Sequence, residues 1–279
     1  MRVGADVLIG PSLGMLQEGP PGCFTPNSLG NPPRPKNIGW TEKGGDRMAE
    51  KRGDRMAEKR GKEPLPQVQW KEEKRVLTLE KIPVLELDLS FPQLTGGGRG
   101  GERISRYYQR LAGAWRSRWG RETYWNACLD LVRCREASRP FRPWAARLSG
   151  EVLFQDEGTL SIRMDAREVR GDGRSLQVRT GDLWKLPEGV PLPVRSYFPG
   201  DRRWWLHLTR KLREQGEARR AAGDCFLDPD FGGRLRRWLS PYRCCRTPEG
   251  LEFYVPQCTL APSAEGVVTF SLPLTPEPK

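Results

Sequence analysis

With 279 residues, 37% of them hydrophobic, the chain can fold around one large or two small apolar cores, and no apolar run reaches the roughly 18 residues that a membrane-spanning helix needs. No basic, apolar secretory leader is evident, so the sequence as written predicts a cytoplasmic protein without a membrane span. The formal net charge of +12 at pH 7 indicates a polyanionic partner, although an Arg-rich composition also follows from a GC-rich coding sequence.

Residues 1–61 are rich in Gly and Pro and show no apolar periodicity, which predicts a disordered tail. The tail contains an eight-residue tandem repeat, 45–52 followed by 53–60. A purine-rich ribosome-binding site ahead of a start codon would encode such a Lys-Arg-Gly-Asp-Arg-Met run. We therefore hypothesise that the tail is partly untranslated and that Met48 or Met56 is the start, which the intact mass of the native protein would decide.

Residues 62–172 have the pattern of an N-terminal α+β half. Alternation of apolar and polar residues over 85–91 predicts a strand with one wet face. Helical apolar spacing then predicts a long helix, or two helices joined at Gly120. A hairpin is predicted over 147–169, with its turn at 155–158.

Residues 173–279 form the predicted C-terminal half. Helices are expected after Asp201 and Asp230, and strands over 251–255 and 267–272. The order of elements predicts an α+β fold with a mostly antiparallel sheet, helices packed on one face, and two related halves.

Four segments of this half, taken in order, resemble a bacterial domain family of unknown function: 180–183, the aromatic Phe198, 247–251 and 261–266. That family occurs in the extracellular, lysozyme-binding part of sigma-V anti-sigma factors and beside the catalytic domain of peptidoglycan deacetylases. The resemblance implies the same α+β fold and, by analogy, a binding or regulatory role. It also implies relatives that are often extracellular.

Within these segments the glycines and one proline are interpreted as structural turn residues. The four residues are Gly181, Gly250, Pro262 and Gly266. The chain departs from the family where aromatic residues would anchor an interface. It has Cys244 and Cys245 ahead of the 247–251 turn, and Cys258 and Ser263 near the Ala-Pro loop.

No arrangement of residues predicts catalysis, a metal site or a cofactor. The seven Cys contain no C-x-x-C pair, so buried free thiols are expected, with a Cys225–Cys258 disulfide as the alternative in an oxidising compartment. His207 accompanies no nucleophile motif. These patterns predict a protein that is not an enzyme.

Arginines on the two C-terminal helices are the remaining candidates for partner contact. The candidate residues are Arg202, Arg203, Arg210, Arg234 and Arg237. They fit a solvated charged face, a site for a protein or an anionic glycan, or a nucleic-acid surface, for which the interleaved Trp would have to be exposed. The leading hypothesis is a non-enzymatic binding or regulatory domain. A nucleic-acid-associated protein is the alternative.

Overall fold

The computed structural model describes residues 65–241 and 243–274, so the predicted tail at 1–61 lies outside the described residues. The larger sheet has six strands in the order of the chain: β1 (Gln67–Leu79), β2 (Ile82–Thr95), β3 (Trp144–Gln155), β4 (Thr159–Val169), β5 (Ser175–Lys185) and β6 (Val190–Pro191). The smaller sheet has three: β7 (Cys244–Arg246), β8 (Gly250–Val255) and β9 (Val268–Pro273). Only β2 and β3 pair in parallel among the described strands.

The helices are α1 (Gly98–Arg118), α2 (Tyr124–Glu136), α3 (Trp204–Ala222) and α4 (Phe231–Trp238), with short 3₁₀ helices at Val194–Tyr197 and Ser263–Glu265. The predicted α+β class with mostly antiparallel pairing is confirmed, but the strands divide between two sheets. The part of the chain that forms the larger sheet and the part that forms the smaller sheet also differ in their number of strands. Their helices occupy different positions in the order of elements. None of the helices within the described ranges is long and apolar enough to span a bilayer.

The predicted strand at 85–91 is confirmed as the centre of β2, and it pairs with an additional strand, β1. Strand β1 escapes prediction because its middle, 71–75, is entirely charged. Charge of this kind protects an edge strand from pairing with other chains. The connecting turn also lacks a glycine signal, since Glu80 and Lys81 themselves adopt φ of 51° and 67°.

The predicted long helix is present, and its irregularity lies at the predicted position. Helices α1 and α2 are joined by a π-helical turn, Trp119–Thr123, that includes Gly120. Such a turn inserts extra backbone into a helix and rotates the faces on either side of it. Here it places both Trp119 and Thr123 in the interior.

The predicted hairpin forms β3 and β4, and Asp156 closes its turn by accepting hydrogen bonds from the N–H groups of Gly158 and Thr159 at 2.9 and 2.6 Å. Strand β5 pairs with β4 along its whole length, from Val169 opposite Ser175 onward. The predicted division after residue 172 therefore falls inside a second hairpin. The larger sheet continues to Pro191.

Helices α1 and α2 cover one face of the larger sheet and bury an apolar core. Its largest fully buried side chains include Trp119, Tyr108, Leu85, Leu89 and Ile162. Helices α3 and α4 cover the smaller sheet around Leu212, Leu235, Phe231, Phe253 and Phe270. The smaller sheet thus lies between its own helices and the free face of the larger one.

The predicted strands near the C-terminus are confirmed as β8 and β9, and α3 and α4 begin near the predicted aspartates. Neither aspartate caps its helix through a side-chain hydrogen bond. Asp201 lies two residues ahead of the N-cap Arg203 and accepts that residue's N–H at 2.8 Å. Asp230 instead accepts a hydrogen bond from Arg234 at 3.0 Å.

The four proposed turn residues are glycine or proline for different structural reasons. Gly181 is not in a turn: it lies within β5, where a Cβ atom would be 2.5 Å from the carbonyl oxygen of Cys244, because β7 crosses the larger sheet there. Gly250 begins β8 beside β9. Pro262 precedes the second 3₁₀ helix, and Gly266 ends it with φ of 67° and ψ of −139°, a conformation that glycine alone adopts readily.

Candidate binding surface

An open groove of about 550 Å³ lies where the chain leaves the larger sheet and enters α3. It is lined by one continuous stretch of chain: Pro193, Arg195, Ser196, Phe198, Pro199, Gly200, Asp201 and Arg202. Val194, which is buried, anchors this stretch, and the Ser196 hydroxyl donates to the carbonyl of Pro193 at 2.6 Å. The groove is therefore formed by a loop that the core holds in place.

One aromatic ring, that of Phe198, lines the groove, and two tryptophans of α3 pack behind it. The rings of Phe198 and Trp204 stack with centroids 5.4 Å apart, and Trp205 meets Trp204 edge-on at 5.2 Å. All three side chains are half-buried, and their other contacts are with the apolar core of the smaller sheet. The tryptophans and the core thus hold the Phe198 ring in place, so that this ring offers a rigid apolar surface to a partner at low entropic cost.

Asp201 links the groove to the first turn of α3. Its Oδ1 atom accepts the Arg203 N–H, and its Oδ2 atom lies 2.8 Å from Nδ1 of His207. The hydrogen bond with His207 lowers the pKa of the Asp201 carboxyl group, so this group is ionised at neutral pH. The groove thus carries one fixed negative charge beside the exposed guanidinium groups of Arg195 and Arg202.

The five predicted contact arginines do not form one basic face. Arg202 lines the groove, and Arg203 and Arg210 are exposed on or beside α3. Arg234 is ion-paired with Asp228 at 2.6 Å and with Asp230. Arg237 lies over the ring of Trp238, with its Cζ atom 5.9 Å from the centroid.

Sequence reasoning missed a second cationic group, Arg246 of β7. Its Cζ atom is 4.1 Å from the ring centroid of Phe154 and 5.6 Å from that of Tyr197. The backbone N–H of Arg246 donates to the hydroxyl of Ser161 at 2.9 Å. These residues are far apart in the sequence, and only the crossing of the two sheets brings them together, so no local pattern could have identified them.

The polar atoms of this cluster are largely buried. Within the described ranges, Arg246 forms no ion pair, and its Nε atom and the Tyr197 hydroxyl are inaccessible to solvent. Burial raises the pKa of Tyr197, and hydrogen bonding and charge from Arg246, together with hydrogen bonding from Thr159, partly oppose that shift. The tyrosine is therefore a neutral hydrogen-bond donor at physiological pH.

The buried cysteines fill space in the core and are not reactive thiolates. Burial raises the pKa of Cys245 to about 12 and raises that of Cys244 as well, so both thiols are protonated at neutral pH. No disulfide joins Cys225 to Cys258 in this structure. Among the residues that the structure describes, no three His, Cys, Asp or Glu side chains converge to hold a metal ion.

Asp182 belongs to the 180–183 segment of the family resemblance, and its side chain takes part in a hydrogen-bond network that stabilises the fold. Its two carboxylate oxygens accept hydrogen bonds from the hydroxyls of Tyr107 and Tyr108, each at 3.1 Å. Tyr108 in turn accepts the indole N–H of Trp184 at 3.0 Å. Burial, followed by the nearby Asp182 charge, raises the pKa of Tyr108 well above its ordinary value. The network joins α1 to β5.

Comparison with known proteins shows similarity of fold. No protein-family model matches the sequence, and no curated protein matches it. The structure is similar to that of a DUF3298 family member from Bacteroides fragilis, with a TM-score of 0.55 and 14% identity over 75% of this chain and 90% of that one. A DUF3298 family protein from Pseudomonas aeruginosa also matches, with a TM-score of 0.45 and 14% identity over 76% of this chain and 92% of that one. The chain thus shares its fold with a domain of unknown function.

Proposed function

We propose that the chain is a non-enzymatic binding or regulatory domain, comparable in role to the anti-sigma-factor and deacetylase-associated domain that its C-terminal segments resemble. Its partner, a protein or an anionic glycan, binds at the groove. The observation that carries this proposal is that the exposed Arg195 and Arg202 line the same groove as the ring of Phe198, which stacks on Trp204. Arginine and aromatic residues are the types that dominate binding hot spots.

The state of the possible nucleophiles supports binding over catalysis. The Cys245 thiol is buried and protonated, and the Ser196 hydroxyl donates to a backbone carbonyl. A nucleophile needs a base within hydrogen-bonding reach that takes up its proton. The ring of His207 is held by Asp201, which gives the start of α3 a structural hydrogen bond.

The distribution of charge favours a protein or glycan over nucleic acid. A nucleic-acid surface needs several phosphate-reaching cations and exposed stacking platforms. Here Arg213 and Arg234 are ion-paired with carboxylates, at 2.8 Å to Glu217 and 2.6 Å to Asp228. The indoles of Trp204 and Trp205 pack against one another and against the core.

The proposal is tested with two charge-matched double variants of the full chain. Arg195→Gln/Arg202→Gln removes the two groove cations, and Arg210→Gln/Arg236→Gln removes two exposed arginines elsewhere. The probes are soluble peptidoglycan fragments, lysozyme and oligothymidylate. We expect one of the first two probes to bind, with affinity reduced about tenfold or more by the groove variant and changed less than about twofold by the control.

Equal weakening by the two double variants would overturn the assignment of the groove, because it would indicate a non-specific effect of net charge. Binding of oligothymidylate alone, with affinity that falls steeply as salt is added, would replace the proposal by the nucleic-acid alternative. Failure of all three probes to bind would overturn the proposed partner classes.

A further inference from the structure

We infer that the outer face of α2 binds the surface of an anionic phospholipid bilayer. The proposed contact is the α2 row, which we define as Trp125, Leu129 and Val132 with Arg121 before them and Arg133 after Val132. Helix α2 covers the face of the larger sheet that lies opposite to the smaller sheet, so the α2 row is separate from the groove. Bilayer binding would thus be a second property of the chain, independent of the proposed function.

The apolar part of the α2 row is exposed although its residues are large. Trp125, Leu129 and Val132 are 63%, 37% and 41% exposed. Their spacing of four and three residues places them on one face of the helix, where they form a continuous stripe. Among the described residues, the other exposed large apolar side chains occur singly on other parts of the chain: Leu65, Val76, Leu206 and Phe226. Single exposed apolar residues are ordinary, whereas a contiguous stripe indicates a contact surface.

Both ends of this stripe carry a cation. Arg121 precedes Trp125 by four residues and Arg133 follows Leu129 by four, so the helical spacing extends to both arginines. Both side chains are exposed. Within the described ranges neither guanidinium is ion-paired, and that of Arg121 donates to the hydroxyl of Ser117 at 2.8 Å. Two solvated positive charges therefore flank the apolar stripe.

The carboxylates near α2 do not neutralise these arginines. Glu122, in the π-helical turn, pairs with Arg118 at 3.4 Å, and Asp130 accepts the indole N–H of Trp144 at 2.9 Å. Glu136 is exposed, but it is the last residue of α2 and lies beyond the stripe. The α2 row thus keeps a net positive charge, which complements an anionic surface.

The same charges argue against a second copy of the chain as the occupant. If two copies paired through the α2 row in the antiparallel register that opposes Trp125 to Leu129, Arg121 of each copy would face Arg133 of the other. In a parallel pair each arginine would face its own counterpart. Like charges placed opposite each other weaken association. A bilayer surface instead offers anionic headgroups to the arginines and an apolar layer to the stripe, and tryptophan is enriched at that boundary.

The test measures sedimentation of the full chain with vesicles. One set contains equal parts of phosphatidylglycerol and phosphatidylcholine, and the other contains phosphatidylcholine alone. We expect the anionic vesicles to bind the chain at least about tenfold more tightly than the neutral ones at low salt, with binding that weakens as salt is added. Absence of binding to the anionic vesicles at low salt would overturn the inference.

Two variants test the two kinds of contact. Trp125→Ala should weaken binding to the anionic vesicles about fivefold or more, because it removes most of the apolar surface of the row. Arg121→Gln/Arg133→Gln should weaken it about tenfold or more. All these side chains are exposed, so the denaturation midpoints of both variants should stay close to that of the unsubstituted chain.

Matched controls change similar residues elsewhere. Phe226→Ala removes a ring that is 74% exposed after α3, and Arg210→Gln/Arg236→Gln removes two exposed charges from α3 and α4. Each should change vesicle binding less than about twofold. Equal weakening by the controls and by the α2 variants would overturn the assignment to α2, because it would show that vesicles respond to total charge or apolar area alone.

Insertion of the ring is tested with anionic vesicles whose acyl chains are brominated, because bromine quenches only tryptophans that reach the acyl layer. We expect part of the fluorescence of the ten tryptophans to be quenched. Trp125→Phe should keep vesicle binding within about threefold and lose that quenching. Unchanged quenching in Trp125→Phe would overturn the proposed orientation. A dimer detected by ultracentrifugation without vesicles, and lost in Trp125→Ala, would replace the bilayer by a second copy.

Discussion

The two faces of the larger sheet are stabilised in different ways. On the helix-covered face the buried groups are almost all apolar, around Trp115, Trp119, Ile104 and Leu148. On the opposite face, where the smaller sheet packs, the contacts include charged and polar groups: Arg163, Asp165, Arg179, Glu252 and Tyr254. The helix-covered face is stabilised mainly by apolar burial, with the Asp182 network as a polar contact to α1, whereas the opposite face is joined mainly through directed bonds.

The difference has a consequence for the candidate binding surface. Apolar burial is large but non-directional, so it fixes compactness better than relative orientation. Hydrogen bonds and ion pairs have defined geometry, and Arg179 reaches from Asp165 on β4 to the ring of Tyr254 on β8. We therefore expect the polar junction to set the angle between the two sheets, and so the placement of Arg246 against Phe154.

The largest effect should come from the apolar face. Trp119→Ala removes a fully buried ring and the 2.8 Å hydrogen bond from its indole N–H to Glu168, and we expect the free energy of unfolding to fall by about 3–5 kcal/mol. Trp125→Ala is the matched control, because that ring is 63% exposed on α2. Denaturant unfolding measures both, and similar losses for the two variants would contradict the assignment of Trp119 to the core.

A smaller effect is expected at the polar junction. Asp165 accepts hydrogen bonds from Arg179 at 2.7 Å and from Gln177 at 3.2 Å, and it pairs with Arg163. Asp165→Asn should lower the free energy of unfolding by about 2 kcal/mol. The substitution removes the negative charge that the three surrounding donors bind. A double-mutant cycle with Arg179→Gln should give a coupling energy of about 1 kcal/mol.

The exposed pair of Asp230 and Arg234 provides the control for that cycle, since their side chains are 66% and 45% exposed. Solvent screening should limit its coupling to at most about 0.5 kcal/mol. If the two cycles give equal coupling energies, the junction is no more specific than a surface ion pair, and the contrast between the two faces would lose its physical basis.

Local patterns in the sequence predicted the elements whose signals are local. Apolar periodicity identified β2 and the long helix, and the break at Gly120 coincides with the π-helical turn. Strand β1 was missed, because its charges suit an edge and no local pattern marks an edge strand. Strand β7 was missed because its three residues are too few to show alternation.

The candidate site was only partly predictable for a related reason. Arg202 and Phe198 lie close together in the sequence, and both line the groove. Gly181 was interpreted as a turn residue, since a sequence does not reveal that another strand crosses over it. The cluster of Phe154, Tyr197 and Arg246 depends on three separate elements and on the angle between two sheets, which no spacing in one sequence encodes.

Alkaline pH should weaken the polar junction through the thiol of Cys245. Cys245 lies at that junction with its Sγ atom 3.4 Å from the carbonyl oxygen of Ile162, and burial raises its pKa from 9.0 to about 12. Above pH 9 the unfolded chain releases this proton while the folded chain keeps it. The stabilisation is therefore complete below pH 9 and is lost as the pH rises towards 12.

The expected loss is about 1 kcal/mol per pH unit for this thiol, measured by denaturant unfolding between about pH 8 and pH 10.5. Cys245→Ala removes the titrating group, so the free energy of unfolding of this variant should decline less steeply with rising pH than that of the unsubstituted protein. The cavity left by the substitution changes the absolute free energy but not this slope. The difference in slope isolates the thiol because lysines and tyrosines titrate in both proteins. Parallel slopes would mean that the thiol ionises equally readily in the folded chain, and hence that water enters the junction between the sheets.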